Sequence, residues 1–500
     1  MPGGAASFRD IHVAPSSDSR PRKRASNEKL LRDPVHGIIS LNRSLRRERV
    51  LLELLDAPEM QRLRRIRQLG LAYMVYHGAE HSRFTHALGV MHLMGVVMRQ
   101  ISKGYRLDPE EILVGRAAAL LHDVGHGPFS HVFERFTEKH HEEWTRDIIL
   151  SPQSQVHQIL SSYSLDLPAR VVGVLHDRKF RPRVVTDLIS SQLDVDRFDY
   201  LLRDSHMTGV KHGIFDLDRL IRTLQVNPHN ERLVVSAKGL YPLEKYLHAR
   251  YYMYRQVYQH RTVVAAEAML TALMRRVSEL LREAGPQGLP PALAGLTLPP
   301  LVVRLLRGGV EFGLDEYLQL DETAMYYAIG ELRRSGDEIA ANLARRLLAR
   351  DLFKVVVLDD FASLPRKARP SLADTRAILR RHGLAPEYYL LEINSSGVGY
   401  APYDPQSRYQ KHIDVEMPDG TYRDVAEVSE IIRALTTLRY ESVQYCFPAV
   451  TPDGKDIRRE VETSLRRAFE QVKVEAPAVS SSSATPAQVA AQAALARFEG

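Results

Sequence analysis

Three histidines and one aspartate fall within ten residues at His122-Asp123-Val124-Gly125-His126-Gly127-Pro128-Phe129-Ser130-His131, interleaved with two glycines. Adjacent imidazole and carboxylate donors form a mixed nitrogen and oxygen set, which suits Mn, Fe, Zn or another borderline divalent ion better than an all-oxygen site does. Two more donors stand elsewhere in the chain. His86 ends the run His81-Ser82-Arg83-Phe84-Thr85-His86, directly before the apolar stretch Ala87 to Met98. Asp196 lies in Leu193-Asp194-Val195-Asp196-Arg197-Phe198-Asp199-Tyr200, where acids alternate with apolar residues and need partners if buried. His86, His122, Asp123 and Asp196 around one ion would leave octahedral positions for water and a phosphate oxygen. Such an ion lowers the pKa of water and offsets phosphate charge. Histidine as a residue type ordinarily titrates near neutrality, so His126, His131 and the later His141 suit acid catalysis or phosphate contact, while the glycines let the backbone turn close to a ligand.

These residues need rigid elements. From Glu28 to about Leu281, apolar residues recur at three- and four-residue spacing, which predicts a mostly helical core. Asp108-Pro109-Glu110-Glu111 reads as a helix start, with a capping carboxylate and a first-turn proline, and that helix delivers His122 and Asp123 at its far end. Residues 285–300, rich in Pro and Gly, read as a connector. The segment 301–475 is expected to form a smaller α+β lobe. It contains a helix over Ser335 to Arg350 and strands at Leu352 to Leu358, Tyr388 to Ile393 and His412 to Met417, the last closed by Pro418-Asp419-Gly420; another helix follows over Val425 to Leu438. The expected fold is mainly α, a core over 29–284 with this lobe appended. Residues 1–28, which include the basic cluster Arg20 to Arg24, and the Ala-, Ser- and Gln-rich 476–500 read as flexible tails. No internal repeat is visible.

The chain of 500 residues is 44% hydrophobic and 26% charged, so core size is no constraint on a soluble globular fold. Its net charge of +7 suits polyanionic partners such as nucleotides or single-stranded nucleic acid. A single cysteine, Cys446, excludes an intramolecular disulfide and leaves metal ligation to His and carboxylates. The N-terminal segment has no apolar signal-like stretch, and no run of eighteen apolar residues occurs, so a cytoplasmic location without membrane insertion is expected.

Six ordered segments resemble the HD-domain deoxynucleoside triphosphate triphosphohydrolases, particularly the kind that in animals carries a sterile-alpha-motif domain: 32–41 (RDPVHGIISL), 54–70 (LLDAPEMQRLRRIRQLG), 81–90 (HSRFTHALGV), 120–134 (LLHDVGHGPFSHVFE), 193–206 (LDVDRFDYLLRDSH) and 254–261 (YRQVYQHR). Similarity runs over about 29–280 and extends more weakly through 344–354 (ARRLLARDLFK). The resemblance implies an HD-type helical catalytic core that binds a divalent metal (Mn, Fe, Mg or Zn) through His86, His122, Asp123 and Asp196. It further implies that Arg83, His131, Arg197 and Arg250 meet the triphosphate and that His126 and His141 assist at the α-phosphate. Gln68, Tyr200 and Asp204 match residues that hold the sugar 3′-hydroxyl, Tyr258 the aromatic beneath the sugar, and Gln259 the base-edge position.

A guanine-nucleotide activator, GTP or dGTP, is implied at Asp56, Gln61 and Arg64 with Lys29 on its phosphates, in a homo-oligomer. The residues by themselves also read as a helix start and an exposed basic face. Arg197 stands where the family commonly has Lys, Tyr254 stands where it has a histidine, and no sterile-alpha-motif domain precedes the core. The expected reaction is hydrolysis of a deoxynucleoside triphosphate to deoxynucleoside and triphosphate. Hydrolysis of another nucleotide or of a nucleic-acid end, or a nucleotide- or nucleic-acid-binding regulator without catalysis, stand as alternatives.

Overall fold

The computed structural model describes residues 27–137, 139–285, 288–308, 312–358, 369–398, 400, 412–437 and 439–475. The tails read at 1–28 and 476–500 thus lie almost wholly outside the described residues. The described residues open not with a helix but with an antiparallel hairpin, β1 (Glu28–Asp33) and β2 (Gly37–Asn42), paired from Glu28 with Asn42 to Asp33 with Gly37. The cause is a local two-residue period: Ile39 and Leu41 are buried while Ile38 is exposed, which one face of a pleated strand satisfies and a helix does not.

Helices follow. α1 (Arg46–Asp56), α2 (Arg83–Ile101), α3 (Pro109–Leu121), α4 (His131–Thr137), α5 (His141–Leu150), α6 (Val195–Thr208), α7 (Leu240–Met253) and α8 (Arg261–Glu283) carry the candidate chemistry. α2 is apolar around most of its circumference, as a central helix must be, and it packs on α3 and α6. Ala117, Ala118 and Ala119 on α3 are fully buried, small side chains that permit a close approach. α3 begins as the sequence predicts: the Glu111 side chain accepts the Asp108 N–H at 2.8 Å. His122 takes its C-cap position, so the helix end sets where His122 and Asp123 sit.

Beyond the connector, α9 (Glu322–Leu332) and α10 (Glu338–Leu348) lead into a three-stranded sheet in the order β5 (Lys354–Val357), β9 (Arg439–Phe447), β6 (Leu391–Val398). A four-stranded sheet joins β3 (Leu224–Val226) and β4 (Leu233–Ser236) to β7 (Asp414–Glu416) and β8 (Tyr422–Asp424), with β4 and β7 parallel. Segments on either side of 285–300 therefore share a sheet. They also share a hydrophobic cluster, in which Leu270, Leu273 and Leu281 of α8 meet Ile329, Leu343 and Phe447.

Two local expectations are corrected. The strand expected from Tyr388 begins only at Leu391, because Pro386 at a first-turn position starts the short helix Pro386–Tyr389. The helix expected over 425–438 is two, α11 (Val425–Val428) and α12 (Glu430–Thr437), broken where Ser429 is extended and its Oγ caps the Ile432 N–H at 3.1 Å. The result is a mainly α protein with a smaller α+β region. No helix among the described residues is long and apolar enough to cross a membrane.

Candidate active site

α2, the end of α3 and the first turn of α6 converge on one point. One donor atom from each of His86, His122 and Asp196 lies within 4.8 Å of the others. His86 Nε2 is 3.1 Å from Asp196 Oδ1 and 3.9 Å from Asp123 Oδ2. His122 Nε2 is 3.4 Å from Asp123 Oδ1 and 3.6 Å from Asp196 Oδ1. Separations of this size match neighbouring donors around an ion with metal–ligand distances of about 2.1 Å.

The hydrogen bonding fits a metal as well. His86 Nδ1 bonds Asp199 Oδ2 at 2.8 Å and His122 Nδ1 bonds the Ala119 carbonyl at 2.9 Å, while both Nε2 atoms are buried without a hydrogen-bond partner among the described residues. An acceptor on Nδ1 selects the tautomer that bares the Nε2 lone pair. Electrostatics agree. Burial opposes charge on His86, yet the carboxylates of Asp196 and Asp199 beside it carry its pKa up to about 10; a divalent ion at Nε2 would stand in for the proton that this pull otherwise draws. Burial would raise the Asp196 and Asp123 carboxyls, but the neighbouring histidines hold both below the usual range. A cluster that draws positive charge this strongly is suited to a cation.

Beside it, His126 stacks on His141 with ring centroids 3.8 Å apart, and His141 Nδ1 is hydrogen-bonded to the Glu134 carboxylate. His126 Nε2 is 3.4 Å from Asp123 Oδ1. Burial, then the nearby Arg83 charge, pushes the His126 pKa well down. His131 opens α4, but its side chain lies outside the described residues.

The loop before α4 is strained. Phe129 and Ser130 have φ of 56° and 48°, the left-handed region that L side chains disfavour. Residues beyond the connector hold it in place. The Tyr317 hydroxyl donates to the Gly125 carbonyl at 2.6 Å, the Tyr317 ring stacks on Trp144 at 3.9 Å, and Tyr326 meets Phe129 edge-on at 5.3 Å. Arg62 donates to the carbonyls of His126 at 2.8 Å and Leu320 at 3.0 Å. Tyr317→Phe is expected to cost about 1 kcal/mol of stability through this one bond and to lower turnover several-fold at nearly constant KM, because the histidine loop loosens. Urea unfolding and steady-state kinetics on the same samples check both effects.

Six of the predicted substrate contacts, Gln68, Arg83, Tyr200, Asp204, Tyr258 and Gln259, line one cavity of about 430 Å³, together with Tyr254 and the apolar Leu69, Ala72, Phe129, Val132 and Val263. Arg83 joins this cavity to the metal-type cluster: it ion-pairs with Asp123 and donates to Ser130 Oγ at 2.7 Å. Asp204 is fixed between the Tyr258 hydroxyl at 2.7 Å and His81 Nε2 at 2.8 Å. Gln68 Oε1 is buried and finds no partner among the described residues. Arg197 and Arg250 are not among the lining residues. Arg197 Nη1 donates to the Ser191 carbonyl at 2.7 Å and pairs with Asp194, and Arg250 Nη1 reaches Gln192 Oε1 at 3.1 Å.

Of the predicted activator residues, Gln61 and Arg64 are bonded to each other at 2.8 Å, and Asp56 is exposed at the end of α1. The Arg64 guanidinium lies 3.7 Å from the Phe84 ring centroid, beside Arg83 in the sequence. Lys29 is exposed on β1.

Sequence reading passed over Asp199, Glu134, Ser130 and Tyr317. Asp199 had a signal, since it stands three residues after Asp196 and so on the same helix face, as did Glu134, three after His131. Tyr317 had none, because its contact spans 192 residues.

An HD-domain family model matches residues 83–203, and an HD-associated-region model matches 215–286. YwfO, an uncharacterized protein of Bacillus subtilis, is 34% identical over 430 residues, covering 86% of this chain and 94% of the relative. The deoxynucleoside triphosphate triphosphohydrolase SAMHD1 of Gallus gallus is 30% identical over 304 residues, 53% of this chain; the match spans about half (48%) of that relative's length. A crystal structure of a phosphohydrolase from Bacteroides thetaiotaomicron superposes with a TM-score of 0.71 at 30% identity, covering 84% of this chain and 99% of that one. The histidine and aspartate cluster falls inside the segment matched as an HD domain, with similarity continuing along nearly the full length of two relatives. On these grounds the chain belongs to the HD-domain phosphohydrolase family.

Proposed function

We propose that the protein hydrolyses deoxynucleoside triphosphates to deoxynucleoside and inorganic triphosphate, using a divalent ion held by His86, His122, Asp123 and Asp196. The observation that carries this reading is the cavity that places Gln68, Tyr200, Asp204, Tyr258 and Gln259 beyond Arg83, which itself touches the metal-type cluster. When bound, a Mn, Fe, Mg or Zn ion would acidify water and offset phosphate charge. The side chains supply the rest. Gln68 Oε1, buried and unpaired, is suited to accept a sugar hydroxyl; Tyr258, fixed by Asp204, gives the sugar a flat floor that disfavours a 2′-hydroxyl. Arg83 meets the triphosphate, and Arg197 and Arg250 do so once turned from their present acceptors. Water attacks the α-phosphorus, the bond to the 5′-oxygen breaks, and His141 or His131 delivers the proton that the departing 5′-oxygen takes up, while His126, kept neutral by burial and Arg83, stacks on His141. Glu134 orients His141 for that role. Similarity to SAMHD1, whose name states this reaction, adds support.

The test is a product assay on metal-loaded protein, offering each dNTP singly, all four together, and each with GTP. Release of triphosphate and deoxynucleoside is expected. Release of pyrophosphate or orthophosphate would move the cleaved bond to a phosphoanhydride of the same nucleotide and overturn the triphosphohydrolase reading, and cleavage only of nucleic-acid ends would transfer the site to another phosphate ester. Nucleic-acid binding of steep salt dependence without turnover would favour a binding role.

The half-buried Gln61, bonded to the exposed Arg64, with the exposed Asp56 and Lys29, supports a guanine-nucleotide activator bound between copies of the chain. Asp56→Ala is expected to bring the ratio of rates with and without GTP close to one. An unchanged ratio would remove this regulatory assignment.

A further inference from the structure

The turn between β1 and β2 has no part in the chemistry above, yet it reaches the centre of the protein. Asp33 Oδ1 accepts the N–H groups of Val35 and His36, both at 2.9 Å, which fixes the turn. Its other oxygen accepts Arg203 Nη1 at 2.8 Å. Arg203 grips Asp199 with Nε at 2.7 Å and Nη2 at 2.8 Å. Asp199 Oδ1 bonds His36 Nε2 at 2.6 Å, and Asp199 Oδ2 bonds Nδ1 of His86 at 2.8 Å. The four links close a ring, turn to Arg203 to Asp199 to His36 and back to the turn, whose members are nearly or wholly buried.

We propose that His36 is a positioning residue for the metal ligand His86, acting through Asp199, so that the N-terminal hairpin is a working part of the metal centre; this rests on the metal-site reading above. Arg203 holds both oxygens of Asp199 in one plane. The His36 donor on Oδ1 is the further contact on that carboxylate opposite His86, and it sets how the clamped pair as a whole is seated, keeping Oδ2 on His86 Nδ1. The orientation of the His86 ring, and with it the aim of the unpaired Nε2, therefore depends on a residue fifty positions earlier in the sequence. Partners of this outer kind typically govern 10- to 100-fold in metal affinity.

The experiment measures Mn²⁺ affinity of metal-stripped full-length protein by equilibrium dialysis with metal analysis, for the unaltered protein, His36→Ala, His36→Gln and His122→Ala. Circular dichroism and Tm of the metal-free forms are recorded alongside. His36→Ala is expected to bind Mn²⁺ about 10- to 100-fold more weakly, and His36→Gln, whose side-chain amide still donates to Asp199, is expected to recover most of the loss. Affinity of His36→Ala within twofold of the unaltered protein overturns the proposal, as does His36→Gln no better than His36→Ala. If His36→Ala does not fold, His36→Gln decides: near-normal affinity supports the role and a tenfold loss overturns it. Failure of the metal centre itself has a separate signature, no uptake by the unaltered protein or full uptake by His122→Ala, and the positioning role falls with it.

Discussion

Alanine at His122 and Asp123 together is expected to reduce turnover by about 10³-fold or more and to remove the bound metal. The two residues supply half of the proposed donor set from one helix end. With His86 and Asp196 alone, the site keeps one nitrogen and one carboxylate, too few donors to compete with water for a divalent ion at ordinary concentrations. The fold should tolerate the change. The apolar groups that hold α3 are upstream, from Leu113 to Leu121, and Arg83, deprived of Asp123, retains Ser130. Metal analysis, circular dichroism and the product assay on one preparation separate the possibilities: a folded, metal-poor, inactive protein is expected, while a folded protein with unchanged turnover sinks the site.

Gly89→Ala should have the second large effect, and here two principles predict opposite signs. Within a helix, alanine is favoured over glycine by about 1 kcal/mol. In this protein the added Cβ would stand 1.9 Å from Asp199 Oδ1 and 2.4 Å from Arg203 Nη2. Both side chains are fully buried, and neither can withdraw without releasing His36, His86 or Asp33. Disrupting a buried ion pair costs about 3–5 kcal/mol, so the steric term wins and a net loss of about 2–4 kcal/mol is expected, together with weaker metal binding. Urea unfolding measures it. A gain in stability would mean that α2 and α6 part easily at this crossing and that the Asp199 network is slack.

The sequence by itself determined the helical core and the helix start at Asp108, and it pointed to the proposed donors His86, His122, Asp123 and Asp196, because each rests on local chemistry: a hydrophobic period, a cap, a residue type able to ligate metals. It also carried the residues that line the cavity, though only through resemblance, since nothing in the spacing of Gln68, Tyr200 and Tyr258 makes them neighbours. The opening hairpin was hardly legible, because Ile38 and Ile39 are equally apolar in sequence and only the fold leaves the first exposed and the second buried. Tertiary structure alone decided three things. It set the acceptor on Nδ1 of His86, which would bare the nitrogen proposed to ligate; it anchored the histidine loop through Arg62, Tyr317 and Tyr326; and it closed the ring from Asp33 to His36 around Asp199. The reason is common to all three. A hydrogen bond between residues 113 or 192 positions apart leaves no period or motif in the chain, and its partners become neighbours only when helix packing buries them at one crossing.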